Sequence, residues 1–113
     1  MERIVELGTL LAYYGALLTE RQRTILRQAV WEDCSLSEIA EREGMSRQGV
    51  HDSIRCADRQ LRAYDAKLGL VGRFGDLTRG FDELERFART MKDDREKEQI
   101  LGLLSGLRKV LED

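Results

Sequence analysis

Apolar residues recur at three- and four-residue steps along most of the chain, which is the spacing of amphipathic α-helices. A first helix is predicted from about Ile4 to Leu18. Thr19 and Gln22 then form a T-x-x-Q capping box, so a second helix should begin at Glu20. The predicted inward side chains of these two helices are Leu7, Leu10, Leu11, Tyr14, Leu17 and Leu18, followed by Ile25, Leu26, Ala29, Val30 and Trp31.

The centre of the chain predicts a short helix and a long one, joined by a tight turn. An S-x-x-E capping box at residues 35–38 starts the short helix, Leu36 to Glu43. Gly44 supplies the left-handed backbone that ends it, and Ser46 caps a long helix from Arg47 to about Leu68. The inward side chains are Leu36, Ile39 and Ala40, followed by Val50, Ile54, Ala57, Leu61, Tyr64 and Leu68.

The C-terminal third has a different pattern. Gly69, Gly72 and Gly75 predict a break in the helices, a joint over residues 69–75. Beyond it the apolar residues follow a heptad pattern, and Asp93 or Asp94 can cap a last helix. These apolar residues are Phe74, Leu77, Phe81, Leu84, Ala88 and Met91, and in the last helix Ile100, Leu104, Leu107 and Leu111.

The segment from Ser35 to Ile54 has the spacing of a DNA-binding helix-turn-helix. That motif needs a small residue in its first helix, a glycine four positions later, and an apolar residue six positions further on. Ala40, Gly44 and Val50 occupy these three places. We therefore predict an all-α protein with a helix-turn-helix domain over residues 1–68, the glycine-rich joint at 69–75, and a C-terminal helical extension or hairpin over 76–113 that packs on this domain or on a partner chain.

The charge of the chain gives no global reason to bind nucleic acid. Its 113 residues include 19 basic and 21 acidic ones, a net charge of −2. The charge is unevenly distributed, because residues 46–73 contain six basic and three acidic residues. The long helix and the joint thus carry +3, and −5 is left for the rest of the chain.

The outward residues of the long helix are the candidate nucleic-acid contacts. Arg47 can hydrogen-bond guanine, Gln48 adenine and Asp52 cytosine, whereas Arg55 and Arg59 can meet phosphates. A helix-turn-helix is also a packing motif, so the same surface is compatible with a role in protein docking alone. The complete candidate set is Ser46, Arg47, Gln48, His51, Asp52, Arg55 and Arg59.

Other function classes find little support. No nucleotide-binding, serine-hydrolase or zinc-protease motif is present, so we expect neither an enzyme nor a cofactor. Cys34 and Cys56 have too few ligand partners for zinc and are expected to be reduced, buried or half-buried thiols. The chain shows no signal peptide or membrane-length apolar run, so we expect a cytoplasmic protein that does not insert into membranes.

Three stretches carry a resemblance to a known family: residues 14–22 (YGALLTERQ), 35–41 (SLSEIAE) and 46–50 (SRQGV). They resemble the YlxM-like family of bacterial helix-turn-helix proteins. The resemblance implies a centre similar to region four of sigma factors and a gene beside those of the signal recognition particle GTPase and its receptor. It also implies Ser46, Arg47 and Gln48 as contacts. Gly49 and His51 depart from the family pattern, where Ala and Tyr are usual.

Two hypotheses follow for the function. The first is a regulatory protein that binds DNA through the long helix and takes part in the signal recognition particle pathway. The second is a protein-interaction module that modulates the particle's GTPase, or binds its RNA, without binding DNA. In either case we expect a homodimer, because helix-turn-helix units commonly pair and the heptad pattern over Phe74 to Met91 offers a surface.

Overall fold

The structure is a computed structural model that describes residues 2–112. This part of the chain contains six α-helices and no strand, which confirms the all-α prediction. A short 3-10 turn, Gly15–Leu17, follows the first helix. The helices are α1 (Glu2–Tyr14), α2 (Glu20–Val30), α3 (Leu36–Glu43), α4 (Arg47–Leu68), α5 (Leu70–Arg89) and α6 (Asp94–Glu112).

The chain divides into two compact units, of which the first ends at Val71 and the second begins at Gly72. In the first unit, α1, α2 and α4 pack around a common apolar core. Leu26 of α2 and Leu61 of α4 are completely buried there. The other members of this core are Leu7, Leu10, Leu11, Tyr14, Leu18 and Ala57.

A second apolar cluster holds the helix-turn-helix together. Ile25 of α2 packs with Ile39 and Ala40 of α3 and with Val50 of α4. Ile39 and Val50 have no exposed surface, so both helices of the motif are anchored on α2. This arrangement confirms the predicted helix-turn-helix, with Ala40 at the contact between its helices.

The turn of the motif depends on Gly44, whose φ of 65° lies in the left-handed region. Its N–H and that of Met45 both donate to the Ala40 carbonyl, which closes the end of α3. A Cβ at position 44 would meet nothing within 4 Å. Glycine is therefore required by the backbone conformation and not by lack of space.

Replacing Gly44 with alanine should lower the free energy of unfolding by about 1–2 kcal/mol, because alanine is strained in the left-handed region. Gly44→Asn is the matched control, since asparagine tolerates this conformation better and the site has room for it. Urea denaturation of the three proteins measures the difference. Equal losses for Asn and Ala would show that the backbone conformation is not what selects glycine.

Several predicted helix ends and inward side chains are wrong in detail, among them Leu36 and Leu68, which are 38% and 46% exposed. The α-helix of α1 ends at Tyr14, not at Leu18, because the chain continues in the tighter 3-10 turn. As a result Leu17 leaves the buried face and is 56% exposed. Trp31 is 54% exposed because it follows the last residue of α2, and its indole lies beside Gly8.

Cys56 is also exposed, because it lies on the outer side of α4, whereas Cys34 is half-buried as expected.

The predicted break over residues 69–75 is confined to one residue. Gly69 ends α4 with a φ of 62°, but α5 begins at Leu70 and runs through Gly72 and Gly75. A glycine costs a helix only about 0.5–1 kcal/mol, which neighbouring residues offset. The first turn of α5 is fixed by Tyr14, whose hydroxyl accepts a hydrogen bond from Leu70 N at 2.9 Å and donates one to Asp65 Oδ1 at 2.7 Å.

Burial of the ring and the hydrogen bond to Asp65 raise the pKa of Tyr14 above its ordinary value of 10.0. The folded state therefore retains the phenolic proton longer than the unfolded chain does. This stabilisation is complete below about pH 10 and is lost as the pH rises through the folded-state pKa. Tyr14→Phe should lower the thermal midpoint at neutral pH and reduce its fall above pH 10. A pH series of thermal melts tests this, and parallel curves for the two proteins would contradict it.

The second unit consists of α5 from Gly72 onward together with α6. Arg108 of α6 donates to Glu85 at 3.0 Å and to Asp82, and its guanidinium lies 5.8 Å from the centre of the Phe81 ring. Asp93 caps α6 by accepting from the N–H groups of residues 95 and 96. None of the helices within residues 2–112 has both the length and the apolar character needed to cross a bilayer.

Candidate nucleic-acid interface

The second helix of the motif, α4, begins at a well-formed cap. Ser46 Oγ accepts a hydrogen bond from Gly49 N at 2.9 Å. A Cβ at position 49 would lie 3.1 Å from that oxygen and 3.4 Å from Met45 Cε. The equivalent positions of α2 and α3 hold Gln22 and Glu38 under the same kind of cap, so the cap at Ser46 does not by itself require glycine at position 49.

Three arginines form the basic part of the outward face of α4. Arg47, Arg55 and Arg59 are exposed, and at about 100° per residue their directions span roughly 120° of the helix surface. None of the three takes part in an ion pair within residues 2–112. Their guanidinium groups are therefore available to an anionic partner.

The polar residues between these arginines contact one another. Gln48 Nε2 donates to Asp52 Oδ1 at 3.0 Å, and His51 Nδ1 lies 3.8 Å from the same oxygen. Both partners of the Asp52 carboxylate remain accessible, because half of the His51 side chain is exposed and Gln48 is exposed as well. The second N–H and the carbonyl oxygen of the Gln48 amide take no part in this bond and can meet a ligand.

Other elements add residues to this surface that the sequence analysis did not identify. A shallow depression is lined by Arg47, Gln48 and His51 of α4 and by Leu36 of α3. A second one, on the other side of His51, is lined by Arg55 and by Arg3 of α1, among others. Only the packing of α1 against α4 brings Arg3 to this position, so no local sequence signal could have indicated it.

Not all the basic residues counted in this region are free. Arg62 donates to Asp58 at 2.7 Å and lies 3.5 Å from Glu6 of α1, and the bond to Asp58 raises its pKa. Arg3 is 3.6 Å from the same Asp58. Arg73 lies in the second unit. The basic residues of α4 without an acidic partner in the described chain are therefore Arg47, Arg55 and Arg59, together with Lys67 in the last turn.

Because α4 is long, residues at different points along it would contact different parts of a bound DNA. Arg47 and Arg59 are twelve residues apart, or about 18 Å along the helix axis at ~1.5 Å per residue. The major groove of DNA is only about 12 Å wide. When the first turns of α4 lie in the groove, Arg47 can reach base edges, whereas Arg59 lies at the level of the phosphates.

Comparison with known proteins identifies the family of the chain. A sequence profile of the YlxM / p13-like helix-turn-helix family, UPF0122, matches residues 1–101. The chain belongs to this family. It is 33% identical to the UPF0122 protein YlxM of Bacillus subtilis over 110 residues, which are 97% of each chain. It is 41% identical to a UPF0122 protein of Symbiobacterium thermophilum over 85 residues, 75% of this chain and 79% of the relative.

Membership in this family defines the general class of the protein. The family is described as one of helix-turn-helix proteins, and this description names no enzymatic activity. Within residues 2–112, no group of three histidine, cysteine or carboxylate side chains is arranged to hold a metal ion. What the surface of α4 offers chemically is guanidinium, amide, imidazole and carboxylate groups for hydrogen bonds and ion pairs.

Proposed function

We propose that this protein is a regulatory DNA-binding protein that inserts the first turns of α4 into the major groove. The observation that carries the proposal is the set of three exposed arginines, Arg47, Arg55 and Arg59, without acidic partners in the described chain. In this proposal Arg47 and Gln48 contact bases, Arg55 and Arg59 contact phosphates, and Ser46, His51 and Asp52 complete the interface.

The rigid support of α4 favours this proposal. Val50 and Leu61, on the inner side of the same helix, are completely buried in two different clusters. A helix held at two points along its length presents its outward side chains in a fixed geometry. Binding therefore requires little ordering of the protein, which lowers the entropic cost of recognition.

A second candidate is supported by Asp52. This carboxylate lies on the reading face, where it repels phosphates, and the net charge of the whole chain is −2. A protein partner with basic groups would instead be attracted by it. The corresponding proposal is a protein-interaction module of the signal recognition particle pathway that binds the particle's GTPase.

The remaining part of the proposal concerns assembly and location. We propose a homodimer in the cytoplasm, since paired helix-turn-helix units read two half-sites about one helical turn apart. Within the heptad pattern over Phe74 to Met91, the exposed residues Leu77 and Leu84 contribute to the surface for pairing.

One set of titrations separates the two candidates. Fluorescence anisotropy at low salt is measured with a labelled pool of promoter duplexes, and calorimetry is performed with the signal recognition particle GTPase, with and without its RNA. The first proposal predicts a saturable complex with DNA. Absence of a DNA complex at low salt would reject it, and binding to neither form of the GTPase would reject the second.

A further inference from the structure

The second unit buries little of its apolar surface. Only Ala88 of α5 and Leu104 of α6 are buried among its residues, with 1% and 5% exposure. Six large apolar side chains remain about half exposed or more, and Phe87 and Val110 exceed 70%. We call them the outer stripe: Leu77, Leu84 and Phe87 on α5, and Leu103, Leu107 and Val110 on α6.

Each of the two helices carries two apolar stripes. On α6 the inner stripe contains Leu104 and Leu111, whereas the outer stripe follows a three- and four-residue spacing through Leu103, Leu107 and Val110. One apolar stripe serves one helical neighbour, and a helix with a wider apolar face belongs in a bundle. Within the α5–α6 hairpin each helix has one neighbouring helix, which packs against its inner stripe. The hairpin contains no second helix to cover the outer stripe.

The outer stripe of α5 also contains a shallow groove. Leu77, Phe81 and Leu84 line it, and Gly80 leaves a gap between them. A Cβ at Gly80 would meet nothing within 4 Å, so the fold of the single chain does not require glycine there. A groove of this kind accepts an apolar side chain from a facing helix, as in knobs-into-holes packing.

We propose that the outer stripe packs against the outer stripe of a second copy of this chain, forming a four-helix bundle from two α5–α6 hairpins. This inference rests on the homodimer proposed above and specifies its surface. When two hairpins are related by a two-fold axis, α5 and α6 of each hairpin both pack against helices of the other hairpin. No other single helix could cover both parts of the stripe equally.

The exposed apolar area of the outer stripe is large enough for it to form part of a protein–protein interface. Six side chains with this exposure leave several hundred Å² of apolar surface, which is at the upper end of the roughly 300–600 Å² for the largest apolar patch of a monomer. A stable dimer buries about 800 Å² on each partner, and the polar rim around such a stripe contributes the remainder.

The test is the molar mass of the full chain in solution, measured by light scattering without DNA. We expect twice the 13.0 kDa of one chain at micromolar concentration. Val110→Glu should raise the dissociation constant of the dimer by roughly a hundredfold or more, because it brings two carboxylates into an apolar interface. Phe87→Glu on α5 should have the same effect, and circular dichroism should show unchanged helix content for both, since these side chains are exposed in the single chain.

Val5→Glu is the matched control, because Val5 of α1 is 67% exposed and Val110 is 73% exposed. It should leave the mass unchanged. A monomeric wild-type protein would overturn the homodimer as well as its surface, whereas a dimer that survives both Val110→Glu and Phe87→Glu would overturn only the surface. DNA binding is measured separately by anisotropy, so its failure is distinguishable from either result.

Discussion

Replacing Arg47 and Arg55 together with alanine is expected to weaken DNA binding by roughly 30- to 700-fold at low salt. Each arginine that contacts a base or a phosphate contributes about 1–2 kcal/mol, and a factor of ten corresponds to about 1.4 kcal/mol. Both side chains are exposed and unpaired in the described chain, so the fold should not change. Fluorescence anisotropy with duplex DNA measures the loss, and circular dichroism measures the helix content.

The matched control is the double variant Arg86→Ala with Arg89→Ala. It removes the same two charges from exposed positions of α5, in the second unit. If binding depends on the α4 surface, this control should change the affinity by less than about threefold, since it removes no group that contacts bases or phosphates in the proposal. Equal losses of affinity in the two double variants would mean that DNA binding depends only on the net charge of the protein.

Leu61→Ala is expected to lower the free energy of unfolding by about 2–5 kcal/mol, because it leaves a cavity where α4 packs against α1 and α2. Leu61 is completely buried in the core formed by these three helices. The cost is a large fraction of the roughly 5–15 kcal/mol by which domains are stable. Urea denaturation followed by circular dichroism gives the value.

Leu68→Ala serves as the control for this variant, because it removes the same atoms from the same helix at a position that is 46% exposed. Its expected cost is below about 1 kcal/mol, as for most surface substitutions. Similar losses at the two positions would show that α4 is not held by the core in which the structure places Leu61.

The helix-turn-helix could be predicted residue by residue because its signals are local. Ser35 and Glu38 form the predicted reciprocal cap, and Ser46 bonds to Gly49 within one turn. Gly44 has the left-handed conformation that its position required. Signals of this kind act over three or four residues, so the bounds of α3 and α4 follow from the sequence alone.

Contacts between distant residues could not be predicted in this way. The hydrogen bond that Tyr14 donates to Asp65 and the one that it accepts from Leu70 join residues more than 50 positions apart, and they hold the start of α5 where glycines indicated a break. Arg3 reaches the surface beside His51 only through the packing of α1 on α4. The pairing of Gln48 with Asp52 is a local contact, but the helix position alone does not reveal it.

The most direct test of the proposed DNA contact is the salt dependence of binding by the wild-type protein. The logarithm of the association constant should fall linearly with the logarithm of salt concentration, with a slope of about −0.9 per phosphate contact. Contacts from Arg55 and Arg59 predict a slope near −2 or steeper, and Arg59→Ala should reduce its magnitude by about 1. A slope near zero, or no complex at the lowest salt concentration, would contradict the assignment of α4 as a DNA-reading helix.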